Sequence, residues 1–126
     1  MSEQRKGERK KLMTFTPAYG LEENILLGYI ADLTLQGAMV SGEKPVVIDR
    51  ELTLAIAFPE TPETPAVRLT IPARVTWCQQ EGNTSYYKTG FEFLELSAQN
   101  KRVIEAVLER YQFRPADDAH KWAAPD

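Results

Sequence analysis

Apolar side chains recur on every second residue through most of this chain, and on a helical period only near its end. The clearest alternation runs from Val67 to Cys78. Val67, Leu69, Ile71, Ala73, Val75 and Trp77 share one phase, and Arg68, Thr70, Pro72, Arg74, Thr76 and Cys78 share the other. Successive side chains of a strand point to opposite faces, so this stretch predicts a strand with one buried face, and the phase places Trp77 with the core. Pro72 has no N–H to give a ladder and predicts an edge position or a bulge. Leu12 to Ala18, Asn24 to Leu33, Ala38 to Val40, Leu52 to Phe58 and Tyr86 to Leu96 supply five more predicted strands. Turn-prone Tyr19-Gly20, Ser41-Gly42, Lys44-Pro45, Glu60 to Pro65 and Gly82-Asn83 separate them. Val103, Ile104, Val107, Leu108 and Tyr111 then form one stripe of a helix, with Ser97 as its N-cap and Pro115 just past its end. Six strands in hairpin-like succession and one closing helix predict a mainly β fold: a six-stranded antiparallel barrel with a C-terminal α-helix packed against it. There is no internal repeat.

At 126 residues the chain is one domain, large enough to bury a core without staples. Charge divides it unevenly. Arg5, Lys6, Arg9, Lys10 and Lys11 against Glu3 and Glu8 give residues 1–11 a net charge of +3, while the whole chain carries −3, leaving −6 for the rest. The expected organisation is a flexible basic arm over 1–11, the barrel and helix over 12–112, and a polar tail over 113–126. A basic arm on an acidic body suits a local anion rather than a polymeric nucleic acid or a membrane. No apolar run approaches a membrane span and no signal peptide is evident. Cys78, the single cysteine, cannot form an internal disulfide. The expected location is cytoplasmic.

Common hydrolases and transferases need a base beside a nucleophile, most often a histidine. The one histidine, His120, lies in the tail, and no Cys/His spacing suits zinc. No Gly-rich loop precedes a helix. Glu22, Glu23, Glu60 and Glu63 read as solvated loop charges. The chain therefore reads as a binder without catalysis, cofactor or metal.

Polar groups converge at Asp32-Leu33-Thr34-Leu35-Gln36-Gly37, between two apolar runs. On a strand Asp32 and Thr34 project to one side, and Gly37 is free to take positive φ and leave an open floor beneath them. The local alternative is that Asp32 and Thr34 bond their own turn backbone.

Arg5-Lys6-Gly7-Glu8-Arg9 sets an RxxxR spacing just before the first predicted strand, and Asp32-x-Thr34-x-x-Gly37 marks a strand-to-turn junction. In this order, with this strand plan and one terminal helix, the chain resembles the PilZ domain family over roughly residues 3 to 112. Gly28 to Asp32, Ala73 to Trp77 and Thr89 to Leu94 are similar to the family too. The resemblance implies a bacterial receptor for the second messenger cyclic di-GMP, built as a split-barrel type of six-stranded barrel. It implies Arg5 and Arg9 as ligands of guanine edges and phosphates, with Lys6 beside them. A guanidinium fork suits that task, since it donates two bonds at once to phosphate or to guanine O6 and N7. Asp32 would accept from the N–H donors of guanine, Thr34 would offer its hydroxyl, and Gly37 would shape the floor. Trp77 is a candidate stacking platform. Thr34 stands where the family usually has serine.

The expected mechanism is an arm that orders over the barrel on binding cyclic di-GMP and signals to a protein partner. Three rivals remain open: a PilZ-like interaction module that binds no nucleotide, a flavin-binding split barrel, and a small barrel that takes single-stranded nucleic acid.

Overall fold

The structure, a computed structural model, describes residues 10–13, 15–62 and 64–113. Strand β1 (Lys11–Leu12) precedes the barrel strands β2 (Pro17–Gly20), β3 (Ile25–Leu33), β4 (Gly37–Gly42), β5 (Glu51–Phe58), β6 (Val67–Gln80) and β7 (Tyr87–Phe93). Helix α1 (Ala98–Arg110) and strand β8 (Tyr111–Gln112) follow. The six barrel strands close in the order β2-β3-β4-β7-β6-β5, every pairing antiparallel. The fold is thus the barrel with one C-terminal helix that the alternation predicts.

Inward residues fill the barrel. Leu54, Ile56, Ile71, Ala73 and Val75 have no solvent exposure, and Val40, Leu69 and Phe91 have almost none. Helix α1 starts at Ser97, whose side chain accepts the Asn100 N–H at 3.0 Å. That bond satisfies one of the donors a helix N-terminus leaves open. The helix buries Ile104 and Val107 and is tied to β6 by Asn100 Nδ2, which donates to the Thr70 carbonyl at 3.1 Å.

Three predicted features change. The expected strand from Leu12 to Ala18 is split into β1 and β2, with Phe15 at φ 60° between them. Tyr111 leaves the helical stripe: its backbone is extended, and it opens β8, which pairs in parallel with β1. Two-residue strands carry no period, so this small sheet left no pattern to read. Pro72 lies on a strand with neighbours on both sides, so β6 has no free edge. It faces Thr53 of β5 and stands one residue before Ala73, which pairs with Phe93 at the end of β7. The Leu94 N–H donates to the Pro72 carbonyl at 2.8 Å. The proline thus stands where regular pairing with β7 has run out, and the bulge of β6 is elsewhere.

Candidate functional site

That bulge decides the site. On β6 the register against β7 shifts between Val75, which pairs with Phe91, and Trp77, which pairs with Gly90. Phe91 is in the core and Thr89 is buried, so Gly90 between them faces out. An extra residue in one strand reverses the facing of everything after it. Trp77 is therefore turned to the outer face and Cys78 to the inner one, the opposite of the phase read from sequence. Cys78 Sγ accepts from Thr89 Oγ1 at 3.3 Å and from the Val46 N–H at 3.5 Å. The Trp77 indole lies directly over Gly90, where any Cβ would strike the ring.

A second bulge acts on β3. There the register shifts between Ile30, paired with Val40, and Asp32, paired with Met39. Ile30 and Leu33 are core residues, and Asp32 faces out. Met39, 2% exposed, is buried yet stands outside the core cluster, on the outer side of β4. Since Met39 also pairs with Gly90, the two bulges align Asp32, Met39, Gly90 and Trp77 in one row across β3, β4, β7 and β6. Neighbouring strands are about 4.8 Å apart, so the backbones of Asp32 and Trp77 are about 14 Å apart, while the indole reaches back over Gly90 and the buried Met39 lies between.

The turn beside this row is built as the local alternative has it. The Thr34 hydroxyl accepts the N–H groups of Gln36 and Gly37 at 3.1 and 3.2 Å, and the Thr34 N–H donates to the Gly37 carbonyl at 2.9 Å. Asp32 Oδ1 accepts the Leu33 N–H at 2.9 Å. Gly37 is required for a different reason from the one expected. Among the described residues the glycines with positive φ are Gly28 and Gly82, whereas a Cβ on Gly37 would run into the Phe91 carbonyl of β7. It lets β4 and β7 approach, and so helps lay the floor of the row.

Charges border the row on both sides. Arg74 donates to Glu92 at 2.8 Å and to Asp49 at 3.2 Å, and the bond to Glu92 raises its pKa further. Lys88 stands on the other side, on the outer face of β7. Glu22 and Glu23 are exposed, as read from sequence, and each also has a partner: Glu22 accepts the Thr53 N–H at 3.2 Å, and Glu23 pairs with Arg50 at 2.8 Å. Arg5, Lys6 and Arg9 lie outside the described residues.

A cavity of about 710 Å³ opens elsewhere, between the start of β3 and the segment from Glu43 to Val47. Its lining includes Tyr29 and Ser41 and touches none of Asp32, Thr34, Gly37 or Trp77. This hollow gathers mainly apolar side chains, and its Glu23 and Arg50 pair with each other at 2.8 Å. Among the described residues no three His, Cys, Asp or Glu side chains gather as metal ligands, and no helix is long and apolar enough to cross a membrane.

The sequence profile of the PilZ domain matches residues 3–110. The chain belongs to the PilZ domain family. PilZ domains are binding and regulatory modules rather than catalysts, and the family is generally one of cyclic di-GMP receptors. No curated protein and no solved structure matches the chain. The matched stretch begins at residue 3, so in this PilZ domain it takes in the basic arm with Arg5 and Arg9 as well as the barrel.

Proposed function

We propose that this PilZ domain binds cyclic di-GMP on the outer face of β3, β4, β7 and β6, with Asp32 and Trp77 at the two ends of the contact. The observation that carries the reading is the row itself. A carboxylate that accepts guanine N–H donors and an aromatic plate that stacks a purine stand on one face, on either side of the apolar Met39. Thr34 contributes by holding the turn, and Gly37 by keeping the floor low. Arg5, Lys6 and Arg9 bring the positive charge that a doubly anionic ligand needs, as permanent or strongly basic donors to its phosphates and guanine edges. Ordering the arm on the ligand creates a new surface, through which the domain signals to a protein partner. No flavin and no other cofactor enters the mechanism.

Titration calorimetry of the full chain with cyclic di-GMP tests the reading. Wild-type protein is expected to bind, and Asp32→Ala and Arg9→Ala each to lose at least about tenfold in affinity, the worth of a hydrogen bond to a charged group. Absence of heat with wild-type protein at high micromolar ligand, or full affinity in both variants, would rule the proposal out.

A further inference from the structure

Lys88 is absent from the sequence motifs of the site, yet the register puts it beside them. It is the direct cross-strand partner of Ser41 on one side and of Gln79 on the other. Thr89 next to it is buried against Cys78, so Lys88 and its partner Ser41 face out. Lys88 precedes Gly90 by two residues on β7, about 7 Å along the strand. A lysine side chain spans that distance, so its ammonium, now beside Glu81, can swing to the row between Asp32 and Trp77.

Two cations border the row, and they differ in how firmly they are held. Arg74 makes two hydrogen-bonded ion pairs, at 2.8 and 3.2 Å. Lys88 has a single carboxylate contact, with Glu81 at 3.7 Å, too long for a charge-assisted hydrogen bond. An exposed pair of that length contributes little, and the ammonium is easily turned elsewhere.

We infer that Lys88, with the Ser41 hydroxyl opposite it, forms the phosphate-binding edge of the outer-face site, supplied by the barrel itself and separate from the arm. The inference rests on the cyclic di-GMP reading above. On binding, the ammonium leaves Glu81 and turns to a phosphodiester oxygen of a ligand whose bases lie along the Asp32 to Trp77 row. The barrel alone then offers an acceptor for a base, a plate for stacking and a cation for phosphate. Arg74 contributes no such contact, because Glu92 and Asp49 hold it.

Calorimetry with cyclic di-GMP on the full chain, repeated at rising ionic strength, separates the outcomes. Lys88→Ala is expected to weaken binding by about tenfold and to flatten its salt dependence, while the thermal midpoint stays near that of wild type. Lys88→Glu should weaken it more, and Lys88→Arg should retain most of the affinity. Glu81→Gln, which removes the competing carboxylate, should bind as tightly as wild type or more tightly. If wild type binds but Lys88→Ala binds equally well with an unchanged salt dependence, this inference falls and the cyclic di-GMP reading stands. If wild type itself does not bind, both fall together.

Discussion

Along β4 and β7 the inward residues are Ala38, Val40, Thr89 and Phe91, all buried, whereas the outward ones are Gly37, Met39, Ser41, Lys88, Gly90 and Glu92. The inner set fills volume, and its quality is packing. The outer set is apolar at its centre, where Met39 lies beside Gly90, and the charged groups stand at its margins. One pair of strands thus serves two purposes that are kept apart by the pleat, and a single inserted residue in a neighbouring strand is enough to move a side chain from one purpose to the other.

The strongest test of that separation is a cavity cut on the inner side. Ile71 has no solvent exposure, and Ile71→Ala should cost about 2–5 kcal/mol of stability, measured by urea unfolding. The nucleotide affinity of the protein that remains folded should be unchanged. A loss of affinity as large as that of Asp32→Ala would show that the two faces are not independent.

A smaller effect is expected from Gly90→Ala on the outer side. Its methyl group would occupy the space of the Trp77 ring and push the indole off the floor, costing about 1 kcal/mol as mild overpacking. In a Trp122→Phe background, Trp77 emission should shift to the red, and cyclic di-GMP affinity should fall while the protein stays folded. An unshifted spectrum would mean that the indole does not rest on Gly90.

The smallest effect concerns the barrel wall away from both sites. Hydrogen bonds from its own backbone N–H and from the Thr53 N–H hold the Glu22 carboxyl below the ordinary glutamate range. A depressed folded pKa contributes stability that is fully present above the unfolded value, about 4.3 for glutamate, and is lost as pH falls through the folded value. Glu22→Gln should therefore be slightly less stable than wild type at neutral pH, and the gap should close in acid. A gap of the same size at both pH values would assign the difference to something other than ionisation.

Much of this was legible in the sequence, for reasons tied to particular residues. Leu69, Ile71, Ala73 and Val75 announce their face because an uninterrupted strand has a strict period of two. Ser97 announces the helix start because a hydroxyl there has an open N–H to accept. Trp77 and Cys78 are read on the wrong faces because nothing in Val75-Thr76-Trp77 signals an unpaired residue; the bulge exists only relative to β7. Asp32 is read as sharing a side with Thr34, but which side that is, and its alignment with Trp77, are properties of four strands in register and of no single segment. Gly37 is recognised as necessary from its place in the motif, while its actual constraint, the Phe91 carbonyl, lies more than fifty residues away. Lys88 belongs to no motif, although its phase opposite Tyr87, Thr89 and Phe91 already points it outward.

The parallel pairing of Lys11 and Leu12 with Tyr111 and Gln112 has a mechanical consequence. The chain enters this ladder beside Arg110, at the close of α1, and leaves it beside Met13, whose N–H donates to the Gln112 carbonyl at 2.7 Å. The stretch that leads into the barrel is thereby stapled to the stretch that leaves the helix, so that loosening one strips the backbone partners of the other.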